Sequence, residues 1–387
     1  MNDHKMNDHK MNEHKMNEHK IKNLTETKIN LSNFHIFPKR SESCVIITSI
    51  YQPSKAIYYF EKSKHDLIIV GDKKTPEYYN NINCIYLDIN KQEELFPEIS
   101  KLIPYNHYCR KNFGYLYAIL KGYKIIYDTD DDTLPYKESF NLNLNKITKH
   151  IIGPKYPNIY KLYSDDLHIW GRGYPLDEIL KNNSPDTESN AENSSYLENV
   201  LYTGDENTYS VVNGLIDGDP DVDAIFRLTS KDFSKCIKFT KNNEETYLVN
   251  NKLFVPTNTQ NTTWVDTSMF IYLLIPTTVS FRFCDILRSA IMYHGLINQN
   301  KNLAITSSNV YQERNVHCFM KDFSDEICVY LNIKDVVEIF EINGILDENV
   351  YKLNRKEFIR KLYQSLCSKN IIKDNDVLLL DLWLQYF

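Results

Sequence analysis

Gly122-Tyr-Lys-Ile-Ile-Tyr-Asp-Thr-Asp-Asp-Asp132 is the stretch that decides the fold class. Lys124 to Tyr127 reads as a short buried strand, and it runs straight into Asp128, Asp130, Asp131 and Asp132. Just upstream, residues 106–121 place Phe113, Leu116, Tyr117 and Leu120 on one helical face, and Gly122 is suited to closing that helix. Further back, Cys84–Ile89 and Asp66–Val70, the latter closing on Gly71 and Asp72, read as strands. Val45–Ile50 is an earlier one, ending in the turn-like Gln52-Pro53-Ser54. Alternation of this kind predicts an α/β fold with a mostly parallel, doubly wound central sheet. Its site should lie at the carboxyl ends of the strands.

Away from this core the pattern changes. Residues 1–20 are four copies of a pentapeptide, MNDHK twice and MNEHK twice, whose period fits neither helix nor strand. We read residues 1–40 as a disordered tail and linker. His4, His9, His14 and His19 belong to the repeat rather than to a metal site. Lys181 to Ser195 is almost wholly polar and reads as a surface loop. From Asn332 onward Val336, Ile339, Phe340, Phe358, Leu362 and Leu366 recur at helical spacing, and Trp383 and Phe387 read as packing residues.

Composition narrows the function. A formal charge of −6 disfavours a nucleic-acid partner, which selects for a basic face. No run approaches the roughly 18 to 20 apolar residues of an integral membrane segment. Met269 to Val279, interrupted by Pro276, reads as buried core instead. The eight cysteines are scattered without a CxxC pair, which favours free thiols in a reducing compartment; cytoplasmic localisation is the simplest expectation. With 28 Tyr and only 11 Gly the composition is biased, so the sequons at Asn193 and Asn261 carry little weight.

The aspartates are the strongest chemical feature. On an extended backbone residues two apart face the same way, so Asp128 with Asp130, or Asp130 with Asp132, can share a cation. Carboxylates this close repel one another unless a counter-charge lies among them. Hard oxygen donors suit Mn2+ or Mg2+, which can neutralise a departing diphosphate. The competing reading is a solvated acidic turn.

Several motifs surround this cluster in order: Tyr108 to Ile119, Trp170-Gly-Arg-Gly-Tyr-Pro-Leu176, Asn213-Gly-Leu215, Pro220-Asp-Val-Asp-Ala224, Val255-Pro-Thr-Asn258, Leu274-Ile-Pro276, Asp285-Ile-Leu-Arg288 and Trp383-Leu-Gln385. Together they resemble the STELLO-type glycosyltransferase-like family over roughly residues 41 to 387, without that family's membrane-spanning amino terminus. More distantly, Arg172 to Pro175, Pro220 to Ala224 and the Asp130–Asp132 triplet are similar to motifs of the reversibly glycosylated polypeptides, the UDP-arabinopyranose mutases. Both resemblances imply a GT-A-like nucleotide-diphospho-sugar transferase fold with a helical C-terminal region. The first also implies association with the Golgi.

The resemblance assigns roles. Asp130 is the first choice of metal ligand, with Asp128 and Asp132 beside it. Asp72 and Thr48 would line the nucleotide pocket, joined by Ser49, while Arg110 would clamp phosphate and Asp131 and Asp221 would touch the nucleotide-sugar. Arg172 would contact donor diphosphate or sugar, and Trp170 would either stack on a sugar or pack. Asp285 or Asp223 would activate the acceptor hydroxyl. One departure is expected: where many GT-A enzymes place a third metal ligand, often His, this chain offers Tyr311, Gln312 and Glu313, with His317 beyond.

The resulting expectation is a GT-A-like domain over 41–320 with a helical region over 321–387. Its function would be Mn2+- or Mg2+-dependent transfer, or ring isomerisation, of a sugar from a nucleotide-diphospho-sugar (a UDP-sugar first) to a glycan or protein acceptor. The alternative is a catalytically weak or inactive scaffold serving as a binding or assembly partner in glycan synthesis. A third class, an Mg2+-dependent phosphohydrolase, would need its Asp nucleophile in a different strand–loop setting.

Overall fold

A computed structural model of the chain describes residues 38–136, 140, 142, 147–151, 153–164, 166, 168–182, 197–198, 209–230, 236–241, 244–313 and 318–387. The pentapeptide repeat with its histidines, residues 183–195 with Asn193, and His317 lie outside them.

Apolar, β-branched runs become the first strands. β1 (Ser43–Thr48) and β2 (Asp66–Val70) are buried nearly end to end, as strands covered on both faces must be. Between them runs α1 (Lys55–Glu61), whose cap Ser54 accepts a hydrogen bond from the Ile57 N–H. β3 (Ile85–Leu87) and α2 (Ile89–Leu95), capped by Asp88, follow. The helix expected over 106–121 divides into a tight turn, Tyr108–Lys111, and α3 (Asn112–Leu120). Gly122, at φ +70°, ends it as expected.

Helix α3 approaches the sheet at Gly114. A Cβ there would come within 2.6 Å of Ile46 Cγ2 and 2.8 Å of Val70 Cγ2. Gly114→Ala therefore overpacks the interface, and despite alanine's better helix propensity it should cost about 1–3 kcal/mol. Denaturant unfolding of the variant checks this through its midpoint at constant slope.

β4 (Ile125–Thr129) then enters the sheet, followed by β5 (Thr133–Pro135), β6 (Lys149–Ile151), α4 (Leu176–Asn182), β7 (Leu197–Glu198), β8 (Val211–Gly214), β9 (Asp217–Gly218) and α5 (Ala224–Thr229). The chain continues through β10 (Thr246–Val249), β11 (Asn261–Trp264), α6 (Cys284–Gln299), β12 (Leu303–Thr306) and β13 (Val310–Gln312). It closes with α7 (Phe319–Val337), α8 (Arg355–Ser368) and α9 (Asp374–Trp383).

Among the described residues the main sheet runs β3-β2-β1-β4-β11-β8-β12-β10-β6-β7, with β5-β13-β9 as a small side sheet. β3, β2, β1 and β4 are mutually parallel, while β11 enters antiparallel between β4 and β8. This mixed, mostly parallel α/β arrangement is consistent with a GT-A-like fold. The chain steps outward from β1 to β3, then returns to place β4 on the other side of β1. That reversal opens a crevice beyond the carboxyl ends of β1 and β4, where open α/β sheets bind ligands.

The helical segment read from Asn332 begins earlier, at Phe319. Val336, Leu362 and Trp383 share one apolar cluster with Ile46, Ile126 and Ile291, and the Trp383 indole donates to the Ile271 carbonyl at 3.0 Å. Met269 to Ile275 is buried, as its composition required. All eight cysteines are free thiols, but only Cys44, Cys109 and Cys284 are buried. Among the described residues no helix is long and apolar enough to cross a membrane.

Candidate active site

The crevice between β1 and β4 holds a cleft of about 410 Å³. Of the residues singled out in the sequence, Thr48, Asp72, Arg110, Asp130, Asp131, Asp132, Arg172, Asp221 and Asp285 all line it. Asp128 and Asp223 do not.

Asp128 corrects the expected ligand set. It is the penultimate residue of β4, not a loop residue, and it is fully buried. Its carboxylate pairs with Lys111 Nζ at 2.6 Å and Arg288 Nη1 at 2.8 Å, and accepts from Tyr115 Oη at 2.7 Å. The extended backbone ends at Thr129, so the expected alternation does not carry from Asp128 to Asp130. Asp128 points into the protein; Asp130 faces the cleft.

Part of the counter-charge demanded by the aspartates is therefore internal. The buried Lys111 ammonium also lies 3.4 Å from Asp130 Oδ1 and donates to the Thr129 carbonyl at 2.7 Å. The sequence reading missed Lys111 and Arg288. Lys111 sat inside a quoted motif without a partner to reveal it, because its partner arrives through the fold.

The remaining three aspartates begin the turn after β4. Asp130 accepts from Tyr108 Oη at 2.7 Å, and Asp131 accepts from the Ser49 hydroxyl at the exit of β1. Burial, against the partial relief of Lys111, pushes Asp130 up to about 6; burial, against the Ser49 hydrogen bond, does the same for Asp131. Gln312, at the end of β13, donates to Asp132 Oδ2 at 3.0 Å. An amide thus stands near where a third metal-ligating side chain was expected. Among the described residues, no group of three or more His, Cys, Asp or Glu side chains is placed to hold a metal ion.

Asp72 sits where Gly71-Asp72 leaves β2. Its carboxylate accepts from the Lys73 N–H at 2.7 Å and the His107 N–H at 3.2 Å, which fixes it at the cleft wall. Arg110 departs from the expected phosphate clamp. It is 1% exposed, with Nε and Nη2 donating to Gln92 Oε1 at 2.9 and 2.5 Å, and its guanidinium lies over the Tyr105 and Phe113 rings.

Across the cleft, Arg172 is held between two carboxylates. Nε and Nη2 meet Asp221 at 2.7 and 2.9 Å; Nη1 and Nη2 meet Asp285 at 3.1 and 2.8 Å. Nη1 also donates to the Arg282 carbonyl. A guanidinium has five N–H donors, and these contacts engage all of them. Its expected contact with donor diphosphate is therefore replaced by a positioning role for Asp221 and Asp285. The paired carboxylates hold Arg172 well above its ordinary value, against the cost of burial.

Asp223 is a helix cap, not an acceptor base. Buried at the start of α5, it accepts from the Ile225 N–H at 2.8 Å and the Phe226 N–H at 3.4 Å. Burial, then the neighbouring Glu326 carboxylate, raises it to about 7. A carboxyl with a raised folded-state pKa favours folding when protonated, and that contribution is lost as pH rises from about 4 through about 7. Asp223→Asn keeps a capping oxygen but carries no charge. Its melting temperature relative to the parent should rise between pH 5 and pH 8, which parallel thermal melts measure. Trp170 meets Phe226 edge-on at 5.5 Å, so it packs.

Two curated proteins are similar to this chain in sequence. "Probable glycosyltransferase STELLO2" of Arabidopsis thaliana is 23% identical over 342 residues, covering 82% of this chain and 42% of the relative. "Probable glycosyltransferase STELLO1" of Arabidopsis thaliana is 24% identical over 292 residues, covering 69% and 36%. The chain distantly resembles the STELLO-type glycosyltransferases. It spans less than half the length of these relatives. No protein-family model matches it.

Two of the motifs read in the sequence meet in the folded chain. Gly171 bridges Val222, and the Arg172 N–H donates to the Asp221 carbonyl at 3.0 Å, so the motifs around 172 and 221 form one ledge. Gly173, at φ +100°, turns the chain beneath Ile286 of α6, which also carries Asp285.

Proposed function

We propose that the chain binds a nucleotide-diphospho-sugar, a UDP-sugar in the first instance, in this cleft and transfers the sugar to an acceptor with the help of Mn2+ or Mg2+. The observation that carries the reading is the placement of Asp130, Asp131 and Asp132 at the β1–β4 switch point, in one cleft with Asp72 and Asp285.

The donor set fits the ion in a particular way. Mg2+ is commonly bound through one or two carboxylates, with substrate phosphates and water supplying the rest, not by an all-protein cage. Asp130, with one of its neighbours Asp131 and Asp132, would hold it on those terms, and Gln312 has no need to ligate. When bound, the ion supplies positive charge against the donor diphosphate.

Asp72 orients the nucleoside end. Arg172 fixes Asp285 and Asp221 on the opposite wall, where Asp285 receives the acceptor hydroxyl proton. The hydroxyl oxygen bonds to the anomeric carbon as the carbon–oxygen bond to the diphosphate breaks, and the electron pair leaves with the nucleotide. Incubation with a panel of UDP- and GDP-sugars and Mn2+ should release nucleotide for at least one donor. Failure of every donor to bind or react would overturn the reading.

A second reading, a non-catalytic scaffold, is favoured by Gln312 at the expected ligand position and by Lys111 partly neutralising Asp130. Metal-dependent nucleotide-sugar binding without turnover would select it.

A further inference from the structure

We infer that Glu326 of α7 is a positioning residue for the acceptor wall: one carboxylate locks together the two segments that carry Asp221 and Asp285, so the C-terminal helices complete the candidate active site. This deepens the transfer reading above and rests on it. Glu326 is fully buried. Its Oε1 accepts from Arg282 Nε at 2.7 Å and from Nη2 of the same guanidinium. Its Oε2 accepts from the Ala224 N–H at 3.0 Å and from Tyr330 Oη at 2.8 Å. Ala224 follows Asp221 by three residues, and Arg282 precedes Asp285 by three.

Both held segments reach the cleft, although Glu326 itself does not line it. The Arg282 carbonyl accepts from Arg172 Nη1, and Arg172 in turn grips Asp221 and Asp285. Arg172 therefore ties the two segments on the cleft side, and Glu326 ties them again from behind. Neighbouring contacts extend the hold along residues 277–282. Ser280 Oγ donates to the Asp325 carbonyl of α7 at 3.0 Å, and the Thr277 and Thr278 N–H groups donate to Asp376 of α9 at 2.7 and 3.1 Å.

Geometry is what this arrangement supplies, more than net stability. A buried ion pair returns little over an apolar packing of similar volume, because both charges are desolvated. Acceptor chemistry, by contrast, is sensitive to position: a displacement of about 1 Å can cost on the order of a hundredfold in rate. The carboxylate is also specific in kind. Both of its oxygens act as acceptors here, whereas a Gln amide offers one accepting oxygen and one donating nitrogen. Glu326→Gln must therefore release either Arg282 or the Ala224 N–H.

The test compares the full parent chain, Glu326→Gln and Gly114→Ala at a temperature where all three are folded. Gly114→Ala serves as a destabilised variant whose site, against Ile46 and Val70, is away from the ledge. With a reactive donor and Mn2+, Glu326→Gln should lower kcat about tenfold or more while the donor KM stays within about twofold, since the Asp130 turn lies on the opposite wall. Gly114→Ala should keep the parental kcat. Hydrogen exchange, read without turnover, should quicken over residues 221–226 and 280–286 in Glu326→Gln and stay unchanged in β4. A parental kcat in Glu326→Gln, an equal loss in Gly114→Ala, or exchange that is unchanged or raised throughout the chain would overturn the proposal. If the parent turns over no donor, the transfer reading has failed on its own, and the exchange pattern alone decides whether Glu326 holds the ledge.

Discussion

Asp128→Ala is expected to destabilise the protein by about 3–5 kcal/mol, the cost of breaking a buried ion pair by removing one partner. Lys111 and Arg288 converge on this carboxylate at 2.6 and 2.8 Å, and all three side chains are at most 1% exposed. Removing it leaves two cations inside the core, one of them against the back of the candidate metal site. Asp130→Asn, two residues on, should behave oppositely. Asp130 faces the cleft with a 21% exposed side chain, and its amide replacement can still accept from Tyr108. Denaturant unfolding of both variants separates the roles: the large stability loss belongs to Asp128 and the loss of metal-dependent ligand binding to Asp130. Equal stabilities for the two variants would contradict the assignment.

Arg172→Ala is the second large effect. The guanidinium holds Asp221 and Asp285, 7% and 6% exposed, on one ledge. Without it two buried carboxylates lose the guanidinium they share, and a loss of about 3–5 kcal/mol is again expected, together with transfer activity. Arg172→Lys should not rescue, because the three donors of an ammonium cannot reproduce the five contacts that the planar guanidinium makes with Asp221, Asp285 and the Arg282 carbonyl. Were Arg172 instead a direct diphosphate contact, the variants would melt normally and show only a raised donor Kd. Thermal melts beside donor titrations decide between these outcomes.

Much of the architecture was legible in the chain. Asp66–Val70 appears as read, β1 and β3 fall within two residues of their expected spans, and α3 ends where expected but begins six residues later, because apolar runs and helical spacing report burial more directly than they report boundaries. The cleft residues on strand exits were equally legible, since a doubly wound sheet puts its site there. What could not be read was pairing. The sequence shows Asp128 beside Asp130 but not that β4 ends at Thr129, sending one carboxylate inward to Arg288, 160 residues away. Arg110 and Arg172 looked alike as free cations near a phosphate site. Their partners Gln92, Asp221 and Asp285 come from distant segments, so their commitment appears only in the folded chain. Asp223 likewise resembled a base until α5 was seen to start on it.

The central claim is that the acidic turn after β4 binds a divalent ion together with a nucleotide-sugar. The most direct measurement is calorimetric titration of UDP-sugars into the full chain, with and without Mn2+, for the parent and Asp130→Asn at equal foldedness. The account expects saturable binding that requires Mn2+, weakens as pH falls below about 6 where Asp130 and Asp131 take up protons, and disappears in Asp130→Asn. Binding of the same strength without the ion, or undiminished in Asp130→Asn, would contradict it.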